Sequence, residues 1–161
     1  MKTVDQWLDE YGESHRNKTN KLIHWICVPT ILFTVLGLLA SIPSAGLFNW
    51  VPAQFSFIAN WAGVVIILAS IFYLRLSFWM FLGMAIISVA MLFGVREVAK
   101  IQLAPLWLVC LAIFTLAWIG QFIGHKIEGK KPSFFKDLQF LLIGPAWLLG
   151  FIYRKLGVKY S

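Results

Sequence analysis

From Leu22 to Leu74 the chain contains no Asp, Glu, Lys or Arg. Helices and strands of a water-soluble domain need a polar face, so a soluble core has no use for so long an uncharged run. A bilayer interior demands one, because a charged side chain is costly in hydrocarbon. The rest of the chain agrees: 60% of residues are hydrophobic and 13% charged, against about 25% charged in soluble domains. The expected fold class is an all-α polytopic membrane protein, and 161 residues suffice for a single membrane domain.

A helix needs ~20 apolar residues to cross the hydrocarbon core. On that measure four transmembrane helices are expected, at about residues 22–42, 55–74, 76–95 and 102–124. Pro29 lies one or two turns into the first and is expected to kink it. Pro43, Gly46, Asn49 and Pro52 mark an uncharged loop, and Arg75 marks the turn between spans two and three. One helix through both would be ~60 Å long, twice the hydrocarbon core, so the chain must reverse there. Arg96, Glu97 and Lys100 are assigned to the next short loop. The last apolar run, Leu138–Tyr153, is short for a crossing and is interrupted by Gly144-Pro145. It reads as a re-entrant or interfacial segment.

Before the spans, residues 3–14 read as an amphipathic helix. Thr3 and Gln6 have the spacing of a capping box, and Val4, Trp7, Leu8 and Tyr11 follow the i, i+3, i+4, i+7 pattern. Asp5, Asp9, Glu10 and Glu13 fall mostly on the other sides, and Gly12 and Ser14 weaken its end. The first twenty residues are polar, without the pattern of a cleavable signal. The domain thus divides into a polar segment 1–21, the spans 22–124 and a basic tail 125–161.

The net charge of +7 is not a nucleic-acid signature, because the basic residues flank apolar segments instead of forming a groove. They fix orientation. With the N-terminus in the cytoplasm and four crossings, the cytoplasmic side receives Lys2, Arg16, Lys18, Lys21, Arg75, Lys126, Lys130, Lys131, Lys136, Arg154, Lys155 and Lys159. The far side receives only Arg96 and Lys100. Both termini are therefore expected in the cytoplasm. Short loops and compact termini favour a bacterial inner membrane over the endoplasmic reticulum. Cys27 and Cys110 both fall inside spans, as small buried apolar side chains and not as a disulfide or zinc framework.

Four crossings have a chemical consequence. His15 and His24 precede the first span and His125 follows the fourth, so every histidine of the chain emerges at one membrane surface. Each has polar company at helical spacing. Gln121, His125 and Glu128 stand at i−4, i and i+3, one stripe of a helix, and Asn17, Asn20 and His24 stand at i, i+3 and i+7. On one continuous helix His15 and His24 would face opposite ways, so both reach one ion only if the helix breaks between them.

Imidazole nitrogens with a carboxylate oxygen, leaving positions open, suit non-haem Fe(II), and zinc hydrolases use similar ligands. Three histidines are too few for a histidine-rich di-iron centre, so a single ion is expected. Gln121 and Asn20 would ligate, hold the ring nitrogens or serve as helix-packing polar groups. Lys126, Lys130 and Lys131 also suit plain positive-inside flanks. Three classes remain open on pattern alone: an iron oxidase, a zinc-dependent membrane hydrolase, and a non-enzymatic lipid-binding or assembly protein.

Two motifs carry a resemblance. Tyr11-x3-His15-x4-Asn20-x3-His24-x4-Pro29 and, near the other end, Gln121-x-Ile-Gly-His125-x2-Glu128-x3-Pro132 resemble a family of small membrane proteins whose yeast member metabolises phytosphingosine to odd-numbered fatty acids. Cys27 stands where glycine is expected in many relatives. The resemblance implies an iron(II)-dependent dioxygenase that shortens a long-chain 2-hydroxy fatty acid by one carbon and releases carbon dioxide, in a family not known to need 2-oxoglutarate. By motif position it implies His15, His24 and His125 as iron ligands. Glu128 would be a fourth ligand or an acid/base, with Asn20 and Gln121 as supporting groups. The acid can chelate iron through its carboxylate and hydroxyl while dioxygen takes another position, its tail lying among the spans in the bilayer. Arg16 or Lys126 would hold the carboxylate.

Overall fold

The computed structural model describes residues 2–129 and 140–160. Lys130, Lys131, Pro132 and Lys136 of the sequence argument lie outside these residues. Within the described chain all regular structure is helical: α1 (Val4–Gly12), α2 (Lys18–Ala40), α3 (Trp61–Leu76), α4 (Phe78–Ile101), α5 (Leu106–Glu128) and α6 (Ile143–Leu156). A single 3-10 turn, Ala53–Phe55, interrupts the loop before α3.

Helices α2, α4 and α5 are long and apolar enough to cross a membrane, consistent with a multi-pass membrane protein. Helix α3 is apolar but has 16 residues, a length of ~24 Å. It starts at Trp61, later than the span expected from residue 55, because Asn60 caps it there by accepting the N–H groups of Ala62 and Gly63. Pro29 lies within α2, which runs on past it to Ala40.

The reversal expected near Arg75 occurs at Ser77, the one extended residue between α3 and α4, whose Oγ then accepts the N–H of Met80. The assignment of Arg96, Glu97 and Lys100 to a loop is corrected: all three belong to the last turns of α4. Lys100 pairs with Glu97 one turn earlier, and the helix ends only where Gln102 turns left-handed at φ 54°. Polar residues at a helix end that has left the apolar zone need not leave the helix.

Helices α2 and α5 run antiparallel over their whole length. The Asn20 side chain at the start of α2 meets Glu128 at the end of α5, and Gly37 near the end of α2 abuts Cys110 near the start of α5. Small residues allow the close approach. A Cβ on Gly120 would stand 2.7 Å from Cys27 Sγ, and one on Gly124 would stand 2.4 Å from Asn20 Oδ1. Cys27 and Cys110 are both buried and free, as their positions in the spans imply.

Helix α1 follows its sequence pattern closely. The Thr3 hydroxyl accepts the Gln6 N–H while Gln6 Oε1 accepts the Thr3 N–H, and Val4, Leu8 and Tyr11 are buried. They pack on α6 in a core shared with Met80 and Met84 of α4. Residues 143–150 of α6 are all buried, so protein encloses the first part of this segment on every side. Gly144-Pro145 begins the helix instead of interrupting it: Pro145 occupies the first turn, where an N–H has no intrahelical partner anyway. Two phenols tie α6 to the bundle, Tyr73 donating to the Leu142 carbonyl and Tyr153 to the Trp79 carbonyl, both at 2.6 Å. The junction of α3 and α4, the start of α2 and the end of α5 therefore share one end of the bundle with α1 and α6.

Candidate metal centre

That end holds the polar residues. Helix α1 stops at Gly12 and α2 begins after Asn17, whose side chain accepts the N–H groups of Thr19 and Asn20. His15 sits in the non-helical connection between them, the break that its distance from His24 requires. Its ring stacks on Tyr11 at 4.3 Å, and its Nδ1 lies 2.6 Å from the Tyr11 carbonyl oxygen. His24, in the second turn of α2, places Nδ1 3.0 Å from the carbonyl of Asn20. A ring nitrogen facing a carbonyl carries the hydrogen and donates it, so in each ring the lone pair belongs to Nε2.

His125, in the last turn of α5, completes the cluster. Ring centroids are separated by 4.2 Å for His15–His24, 5.0 Å for His24–His125 and 5.4 Å for His15–His125. One ligand atom from each ring lies within 4.8 Å of the others, and all three residues are buried. Buried imidazoles that converge edge to face, two of them oriented by backbone carbonyls, have the arrangement of a first coordination shell with its supporting hydrogen bonds. Three neutral imidazoles suit iron or zinc and leave further positions open.

Glu128 acts on the connection that carries His15. Its Oε1 accepts the Arg16 N–H at 2.8 Å, and its Oε2 accepts the Asn17 N–H and Asn20 Nδ2, each at 2.9 Å. Asn20 also donates to the Ser14 carbonyl at 3.0 Å. Asn20 Oδ1 has no hydrogen-bond partner among the described residues, a buried acceptor beside the His24 ring with capacity for an incoming donor. Gln121 is buried one turn before His125. It lines a cavity of about 30 Å³, with Tyr11, Val28 and Trp118, that has room for a single small molecule.

The two expected carboxylate-holding residues part company. Arg16 lines a cleft that reaches His15, whereas Lys126 is exposed and is not part of its lining. That cleft also receives Lys21 and Arg154, which no local spacing connects to the histidines. Another feature was readable but went unused in the sequence argument: Gly120 and Gly124, four apart in an apolar helix, mark the face on which α5 meets α2.

Fold and site together define a small helical membrane protein with a buried three-histidine cluster at one end of its bundle. The family model described as "2-hydroxy-palmitic acid dioxygenase Mpo1-like" matches residues 1–156, and the chain belongs to that family. Neither a curated protein nor a solved structure matches the chain.

Proposed function

We propose that this protein is an iron(II)-dependent dioxygenase converting a long-chain 2-hydroxy fatty acid to the acid one carbon shorter with release of carbon dioxide. The observation that carries the reading is the buried convergence of His15, His24 and His125. The family to which the chain belongs supplies the substrate class.

The stoichiometry closes without a third substrate. A 2-hydroxy acid, R–CHOH–COOH, and dioxygen give R–COOH, carbon dioxide and water; C2 and C1 are oxidised as the bond between them breaks, and dioxygen accepts all four electrons. Bound iron(II) would supply the redox chemistry that lets dioxygen react, together with open positions for the substrate's oxygens. His15, His24 and His125 would hold it through three ring nitrogens. The carbonyls of Tyr11 and Asn20 fix two of the rings and make them better ligands. Glu128, occupied by three N–H donors, holds the His15 connection against the end of α5.

In this reading α3 serves as the second of four crossings, and the histidine end faces the cytoplasm of a bacterial cell together with both termini. The alkyl tail of the substrate lies along the apolar helices. The test is anaerobic purification, addition of Fe(II), then air with 2-hydroxypalmitate, with products followed by mass spectrometry. A 15-carbon acid that disappears in His125→Ala supports the proposal. No shortened acid from any 2-hydroxy acid, and no iron retained, would sink it.

A further inference from the structure

One opening leads from the surface to His15. It is a cleft of about 390 Å³ between α1, α6 and the start of α2, within the range of small-molecule sites, and His15 forms part of its wall. Its α6 side is an aromatic ladder. The Trp147 ring lies 5.2 Å from His15, Phe151 lies 4.7 Å from Trp147, and the Arg154 guanidinium sits 4.7 Å from the Phe151 ring centroid. Arg154 is held from a second direction, Nη1 donating to the Tyr160 hydroxyl at 2.5 Å.

The charges around the cleft are unevenly placed. Arg16, Lys21 and Arg154 line it from the connection, α2 and α6, while Asp9 and Glu13 line it from the α1 side. Among the described residues the ion pairs are Lys2 with Glu10 and Lys100 with Glu97, so no carboxylate neutralises these three cations at contact. An anion in the cleft is repelled from α1 and attracted to the opposite wall. An arginine already positioned by an aromatic face and a phenol loses little freedom when it takes a carboxylate in its fork.

We propose that this cleft is the capture site for an anionic single-chain amphiphile, with Arg154 receiving the carboxylate at the rim and Phe151 and Trp147 forming the wall along which the headgroup then passes towards His15. The proposal rests on the fatty-acid reading above and names the residues that select the acid from neutral lipids. Because the ladder separates Arg154 from the histidines by two aromatic rings, the arginine acts before the headgroup reaches the cluster. Its signature is in capture: KM and the association rate, both weakened by salt, with a much smaller change in kcat.

The test compares binding of 2-hydroxypalmitate with that of hexadecane-1,2-diol, a neutral analogue of equal chain length. It uses the metal-free full chain in neutral detergent, so it needs no turnover. Arg154→Gln is expected to weaken acid binding about tenfold and leave the diol unchanged, with Arg154→Lys recovering only part of the affinity, because lysine keeps the charge but loses the planar fork. Lys21→Gln, an independent variant should Arg154→Gln fail to fold, is expected to give a smaller loss of the same kind. Equal acid binding by wild type and both Gln variants, or equal loss of acid and diol, overturns the proposal. Arg154-dependent binding without a shortened product from the iron-loaded protein would uphold the capture site while removing the dioxygenase reading. Turnover with an unchanged KM in Arg154→Gln would do the reverse.

Discussion

Asn20 and Glu128, 108 residues apart in sequence, are joined by a 2.9 Å hydrogen bond that closes the start of α2 on the end of α5. The same carboxylate takes the backbone N–H groups of Arg16 and Asn17. His15 is thus positioned by the residue that ends α5 as well as by its own neighbours. Its place in the cluster depends on a contact between the two ends of the chain.

Glu128→Gln should therefore act on His15. The amide keeps the size of the side chain but turns one acceptor into a donor facing N–H groups, at a cost of about 1–3 kcal/mol. Cobalt(II) titration of the purified variant should show weakened metal binding, and its effect should be non-additive with that of His15→Ala. Additive losses would mean that Glu128 acts independently of His15.

Gly124→Ala is expected to be severe. The new methyl would stand 2.4 Å from Asn20 Oδ1 and 3.2 Å from the nearest atom of the His24 ring, neither of which has room to yield. Separation of α2 from α5 should lower thermal stability and metal affinity together, as read by a thermal melt in detergent and a metal titration. Retention of wild-type affinity would show that the helices tolerate a wider spacing.

Gly120→Ala offers a graded comparison. Its Cβ meets Cys27 Sγ at 2.7 Å, and Cys27→Ala removes that atom. The single glycine variant should be destabilised by about 1–3 kcal/mol through overpacking, and the double variant should recover most of it. Equal stability of single and double variants would exclude this contact as the cause.

Metal removal separates redox chemistry from Lewis acidity. A chelator should lower the melting temperature, because an ion bound only by the folded state adds to its stability. Zinc should restore the melting temperature without restoring product formation, whereas Fe(II) should restore both. Turnover by the zinc form, or without dioxygen, would favour a hydrolase.

Much of this architecture was legible locally. The uncharged run to Leu74 required a bilayer, the Thr3–Gln6 box located α1, and the even number of apolar segments between His24 and His125 put both at one end of the bundle. The errors arose where local cues were weak. Arg96, Glu97 and Lys100 resemble a loop by polarity, yet a helix leaving the apolar zone keeps its hydrogen bonds and extends to Ile101. Gly144-Pro145 resembles an interruption, but proline is at ease in a first turn and so starts α6.

By itself the sequence determined that the chain is a set of apolar helices, where α1 is capped and that the three histidines share an end. These follow from side-chain periodicity and transfer free energy, which act along the chain. Only the tertiary structure decided that His15 meets His24 and His125, because a residue in a non-helical connection has no periodicity to aim it. The same holds for Arg154, which reaches the His15 cleft only because α6 is packed against α1. Contacts between distant segments are set by the closeness that Gly120 and Gly124 permit and by the Glu128 hydrogen bonds; the two glycines mark a face of α5, but which segment meets that face is not encoded in α5 alone.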